Sequence, residues 1–381
     1  MAPRRSITVV AGLAWLGAQG GPLGCADGDG NADASATSNG TTTGSSSEGS
    51  STNAATSSVD ASVDASGSSE STASAEPWRV AFEVDEQTGA LLSAWGPSAA
   101  HVYAVGGQNG PGVSTGAMLV RERGQWSELE LPADTAKLNW IHGNGELRVA
   151  VGERGVILMR SGDDAATPWE TFGCGTVLPL WGAWVVADDD VWTVGGDGFS
   201  HAPVLCRFDG GQWSQLELPA DAVASKGLFK VFGLAPDDVW AVGDGGLLLH
   251  LGASGWQAVD SGTDVDLISL WGTARGELVA VGGRASGVLA RKTEGWTIAD
   301  LGESVPGLNG VWMDPSGTAT VVGILGTIAT LEPGGLTPAF EPAPTMSTLH
   351  AVWSPGDGTF IAVGGSLELP PPFTGVILER P

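Results

Sequence analysis

From about residue 77 onward, apolar positions come in short runs of Val, Ile, Leu and Trp broken by glycine, and the runs recur in a fixed order. The phrase "PDDVWAVGDGG" at 236 to 246 returns as "DDVWTVGGDG" at 189, "GELVAVGGRASG" at 276 and "GTFIAVGGSLE" at 358. Its Val-Gly pair occurs seven times, at Val105-Gly106, Val151-Gly152, Val194-Gly195, Val242-Gly243, Val281-Gly282, Val322-Gly323 and Val363-Gly364, with intervals of 39 to 48 residues. About ten residues before each pair stands a Trp-Gly-like mark: Trp95, His142, Trp181, Phe232, Trp271, Trp312 and Trp353. About ten residues after it comes an apolar run such as "GVILMR" at 155 or "GLLLHL" at 246. Each unit closes with "GxW" or its remnant, at Trp126, Trp169, Trp213, Trp256, Trp296 and, as the weakest copy, Phe340.

Four short strands in 40-odd residues, separated by Gly-rich turns, is the periodicity of a β-propeller blade. The runs are too short and too Gly-punctuated for helices, and β-branched and aromatic side chains favour extended chain. In the fifth unit the strands are expected at about 267–271, 277–282, 287–292 and 296–301. The two ends settle the count. After the seventh pair the chain reaches its third strand, "GVILER", and stops, while "PWRVAFEV" at 77 to 84 precedes the first mark without a third strand of its own. The N-terminal segment therefore completes the last blade. The sequence predicts an all-β, seven-bladed propeller over 77–381 with one-plus-three closure. Each unit then needs bulky apolar residues at the same places and glycine where the backbone turns with positive φ. The Asp of "DVW", Asp190 and Asp238, is expected to cap a turn.

Composition changes sharply upstream. Residues 26–76 hold 22 Ser or Thr, no Lys or Arg, and only Val59 and Val63 as large apolar side chains. Such a segment cannot bury enough surface to offset chain entropy and is expected to be disordered. Ahead of it, Arg4 and Arg5 precede a twelve-residue apolar run, Ile7 to Ala18, too short to span a bilayer and suited to a secretory signal. "PLGC" at 22 to 25 resembles the lipobox of bacterial lipoproteins, with Pro22 where Leu or Val is usual. The resemblance implies a signal peptide over 1–24 and lipid attachment to Cys25. Residues 25–76 then form a tether with a reach of roughly 40 Å. Export to the cell envelope, at the outer membrane or cell surface, follows, with the membrane touched only through the lipid.

The chain carries a formal charge of −26. An acidic surface of that size repels phosphate backbones, so nucleic acid is not an expected partner. The pattern WG, DVWAVG, G, W, together with signal, lipobox and Ser/Thr tail, resembles repeat proteins of secreted lipoproteins in myxobacteria and their relatives, loosely allied to BNR-like and sialidase-type propellers. That resemblance implies a surface protein, and the matching residues are repeat residues with no catalytic role among them.

Enzymatic propellers have stated needs. Sialidase chemistry requires an Arg cluster and a Tyr nucleophile with an acid; the one Tyr, Tyr103, sits inside the "HVYAVG" strand, and no Asp-box occurs. The five His, at 101, 142, 201, 250 and 350, lie in different units without metal-ligand spacing. No P-loop or complete GxGxxG is present, and no cofactor is expected. Cys174 and Cys206 fall in adjacent blades; after export they form a disulfide or remain as two buried thiols.

Loops carry specificity on repeat scaffolds. The connection between second and third strands is three residues long in units two, four and six, but lengthens to 107–116, 196–203 and 365–375 in units one, three and seven. Gln108, Asn109, Phe199, His201, Leu367 and Phe373 are the candidate binding residues of the rim these loops would build. The leading reading is a monomeric, non-catalytic binding propeller for a protein or glycan at the cell surface. Its rivals are a polysaccharide hydrolase or lyase using acids in the central channel, and an envelope protein without ligand.

Overall fold

The computed structural model describes residues 76–381 apart from 111–112, 198–201, 223–226 and 368–371; the signal, Cys25, the tether up to residue 75, Phe199 and His201 lie outside the described residues. Seven four-stranded antiparallel sheets follow one another around an axis. Their innermost strands are Ala90–Ser98, Leu138–Asn144, Leu180–Ala187, Leu228–Ala235, Leu267–Gly272, Leu308–Met313 and Leu349–Trp353. Each of the first six is followed by three further strands in chain order. In the fifth sheet these are Leu278–Gly282, Val288–Lys292 and Trp296–Asp300, within a residue of expectation at each end. In the sixth the outer strand shrinks to Ala339–Phe340.

The seventh sheet has chain order 349–353, 360–365, 375–380 and then Arg79–Val84 at its outer edge. Arg79 pairs with Glu379, Val80 with Leu378 and Phe82 with Ile377. Trp78 is buried in the same cluster as Ile377 and donates Nε1–H to Glu341 at 3.0 Å, beside the Arg380 guanidinium. The structure is a seven-bladed β-propeller whose ends are hydrogen-bonded into one blade.

The Val-Gly glycine is fixed by space and not by a positive φ. Gly152, Gly243 and Gly323 have φ of −168°, −165° and −166°, extended backbone open to any residue. A Cβ on the seven glycines would lie 1.9–2.3 Å from a carbonyl oxygen at the start of the innermost strand. There the innermost strand bulges: in every blade the pairing slips by one residue, at Leu92, Asn139, Trp181, Phe229, Ile268, Asn309 and His350. The positive-φ requirement falls on the following glycines, Gly107, Gly196, Gly283 and Gly365, and on the short turns of blades two, four and six, where Arg154, Gly245 and Leu325 sit near φ 58°.

The aromatic of the Trp-Gly mark packs on the glycine of the next blade. A Cβ on Gly143 would meet the Trp95 ring at 2.4 Å, and one on Gly233 would meet Trp184 Nε1 at 2.8 Å. The mark of blade three is therefore Trp184 and not Trp181. Trp184 pairs with Trp192, just as Phe232 pairs with Trp240 and Trp95 with Tyr103. The Asp of "DVW" is likewise a latch across the sheet instead of a turn cap. Asp190 accepts from Arg207 Nε at 2.8 Å, which raises the Arg207 pKa, and Asp238 binds His250 Nε2 at 2.8 Å and Trp240 Nε1 at 2.8 Å.

Candidate functional site

Two ends of the central channel differ in kind. Toward one end, residues four positions after the leading leucines form a belt of rings: Trp95, His142, Trp184, Phe232, Trp271, Trp312 and Trp353. His142 stacks on Trp184 at 4.1 Å between centroids, Trp184 meets Phe232 at 4.2 Å, and Phe232 meets Trp271 at 5.3 Å. Trp271 of blade five also lies 6.5 Å from His142 of blade two, so the rings reach across the axis and fill it. The acids that a channel hydrolase needs do not stand at these positions.

His142 belongs to the packing. It is buried, and its Nδ1 accepts the Val185 N–H at 3.0 Å, which leaves the neutral tautomer with hydrogen on Nε2. Burial holds its pKa down to about 3, and burial with the nearby Lys137 charge brings His350 down to about 4 against a hydrogen bond to the Gly365 carbonyl. Both histidines are neutral in the fold and take protons near pH 6.5 once unfolded. Stability is therefore whole above about pH 6.5 and falls as pH drops toward 4. At pH 4.5 the loss from His142 alone is about 3 kcal/mol, and urea midpoints at pH 7 and 4.5 should differ accordingly. His142→Phe should flatten that slope whatever its absolute stability; an unchanged slope would place the proton elsewhere.

The other end is open. Trp181, Phe229, Ile268, Asn309 and His350 at the bulges are partly exposed, while the residues just below them, among them Ser93, Trp140, Lys230 and Ser269, are buried. Glu153 at this mouth pairs with Lys137 (3.6 Å), and Asp266 pairs with Arg284 (2.6 Å). Asn139 and Asn309 donate their amides to the carbonyls of Leu180 (3.0 Å) and Leu349 (3.1 Å) in the following blades, tying blade to blade across the bulge.

Around this mouth run the unequal loops. Gln108 donates to the Phe373 carbonyl at 2.7 Å and to the Glu86 carbonyl at 2.7 Å, and accepts the Phe373 N–H at 2.8 Å. It thereby clamps the loops of blades one and seven together, as ring closure demands. Phe373 is 3% exposed. These two form a brace: the Gln108 amide is engaged by backbone and the Phe373 ring is buried. Asn109 sits in the long hairpin His101–Gly110 and Val113–Glu122, opposite Ser114, and is partly exposed, as is Leu367. The hairpin walls a cleft of about 710 Å³ lined by Val113, Ser114, Glu128, Asp134 and Arg154. A second cleft of about 310 Å³ beside blade six combines exposed Leu325, Phe340 and Met346 with Thr327, Glu341 and Thr345.

No protein-family model matches the chain, and no curated protein does. Solved structures do match. YCF48 bound to a D1 peptide is 17% identical with a TM-score of 0.58, covering 80% of this chain and 96% of its own. A catalytically inactive virginiamycin B lyase from Staphylococcus aureus with quinupristin is 11% identical with a TM-score of 0.60, covering 79% and 98%. The WD40 propeller domain of Doa1 is 12% identical with a TM-score of 0.57, covering 79% and 96%. At these identities the likeness establishes the fold: this chain is a β-propeller.

Cys174 and Cys206 are joined, with Cα atoms 6.2 Å apart, linking the exit of blade two to the third strand of blade three. Tyr103 is fully buried; its hydroxyl donates to Asp163 at 2.9 Å, and Arg148 grips the same carboxylate at 2.7 and 3.0 Å. Burial and the Asp163 charge push the Tyr103 pKa up, away from a nucleophile. Among the described residues no group of three or more His, Cys, Asp or Glu is arranged for a metal, and no helix is long and apolar enough to cross a membrane.

Sequence reasoning missed Lys230. Its signal was a lysine inside the apolar run "GLFKVFG". The side chain is 7% exposed, with Nζ 3.2 Å from the Trp140 ring centroid and 3.3 Å from the Trp181 carbonyl. Burial alone holds its amine well below the ordinary lysine value. Gly182 makes this possible: a Cβ there would lie 3.0 Å from the Lys230 backbone.

Proposed function

We propose that this chain is an exported, lipid-anchored protein that presents a non-catalytic propeller to bind a protein partner through the open mouth and its loop rim. The observation that carries this reading is the asymmetry of the axis: rings fill one end, while the other is solvent-open, walled by half-exposed apolar side chains and framed by braced, unequal loops. Pockets of this kind, mostly apolar with a few placed polar groups, suit recognition. Two solved propellers of the same shape hold a D1 peptide and quinupristin respectively, which supports a binding role. The lipobox-like "PLGC" supports attachment at Cys25.

One experiment tests both parts. Intact protein, Cys25→Ser, and a form with loops 107–116 and 365–375 cut to three residues are expressed in a lipoprotein-sorting bacterium. Palmitate label should be lost in Cys25→Ser alone, and partner recovery by crosslinking should fall at least tenfold in the loop-cut form. Equal recovery from a folded loop-cut form discards the rim, and label retained by Cys25→Ser discards the anchor.

A further inference from the structure

We propose that the mouth takes the C-terminal carboxylate of a peptide, with Lys230 on its floor as the counter-ion and Trp181 and Phe229 as its apolar walls. This rests on the binding reading above and names its ligand.

The argument begins with an unbalanced charge. Burying a lysine without a carboxylate is costly, and folded proteins avoid it unless something offsets the cost. Among the described residues no carboxylate lies within salt-bridge distance of Lys230. Two other cations near the mouth have carboxylates: Lys137 pairs with Glu153, and Arg284 with Asp266, which also bonds Asp244. His350 is neutral. Lys230 is thus a buried lysine without a carboxylate in salt-bridge range among the described residues, and one such amine fits a monoanion better than a phosphate.

Two features narrow the monoanion. The ring belt below the mouth blocks through-passage, so a polymer enters by its end. The polar groups of the wall are mostly spent, since the amides of Asn139 and Asn309 and the indole N–H of Trp181 already donate to carbonyls. A sugar needs many hydrogen bonds and finds few here. What remains is the Lys230 amine, which donates to the Trp181 carbonyl and has donors to spare, and the buried Asn139 Oδ1, which has no partner. A terminal peptide residue offers the complement: a carboxylate for the amine, an N–H for the oxygen, and an apolar side chain for Trp181, Phe229 and Ile268. A lysine kept at the expense of stability in this position follows the usual trade between function and stability.

The test uses the full chain with N-acetyl-dileucine as free acid, the same compound as amide, and galacturonate, each titrated at pH 8 in two buffers of different ionisation enthalpy. The free acid should bind at least ten times more tightly than the amide and draw up to one proton from solution, because the amine enters the complex charged. Lys230→Met should lose the tenfold preference and the proton uptake while melting several degrees higher than the parent, which also shows that it folds. Equal binding of acid and amide, or parent-like behaviour in Lys230→Met, overturns the carboxylate site and leaves the rim reading standing. Galacturonate binding with proton uptake where the peptide acid shows none overturns the peptide assignment in favour of an acidic glycan. No response to any of the three overturns the site, while the loop-cut form still judges the binding role independently.

Discussion

Deleting residues 76–84 should destabilise the propeller by about 5 kcal/mol or more, a fall of ~10 °C or more in Tm, and leave it prone to associate. The segment supplies five registered pairs to strand Gly375–Arg380 and buries Trp78 against Phe360 and Arg380. A buried indole of this kind contributes roughly 4–6 kcal/mol of transfer free energy before entropy is set against it. Its loss also uncovers the backbone edge of the strand that carries Ile377 and Leu378, and leaves the buried Arg380 and Glu379 without part of their surroundings. A synthetic peptide of residues 76–85 should restore the melting temperature when added in excess. A deletion form that melts like the parent would show that the ring closes without this strand.

Trp184→Ala and Trp181→Ala should behave very differently, although both tryptophans lie in the same strand. Trp184 touches His142, Phe232 and Trp271 and covers Gly233 of the next blade. Its truncation opens a cavity at the axis where four blades meet, at a cost of about 3–5 kcal/mol. Trp181 is half-exposed at the mouth, with its indole N–H on the Gly196 carbonyl. Its truncation should cost roughly 1–2 kcal/mol, the value of one hydrogen bond and partial burial. Chemical denaturation of both variants reads the difference directly; equal losses would remove the ring belt as the centre of the packing.

That pair also shows what the sequence made visible. The propeller, its seven units and its closure were legible because each blade must put equal side chains against its neighbours, so periodicity survives while polar letters drift. The letters "WG" at 181–182 misled, since tryptophan followed by glycine looks the same at the mouth and at the belt. Spacing was the better guide: the belt residue stands ten positions before its valine in six of the seven units, a count that selects Trp184 for Val194. The role of the Val-Gly glycine was hidden because close approach of two backbones leaves no mark besides the glycine itself.

The site was less legible. The long loops of blades one and seven could be found by length, but the bond from Gln108 to Phe373 spans 265 positions and no local pattern announces it. Lys230 could have been flagged as a charge within an apolar strand, yet only the fold shows that it crosses Gly182 to reach Trp140 and meets no acid. Electrostatic balance is a property of neighbours in space, and the chain order scatters those neighbours over blades two, three, four and seven.

Closure by the first strand is tested most directly by native-state amide exchange. The amides of Val80 and Phe82 should exchange as slowly as those of Ile377 and Leu378, near the global unfolding limit, because the strand is released only when the ring opens. Exchange of Val80 and Phe82 at the rate of a frayed terminus, with Ile377 and Leu378 still protected, would contradict the account.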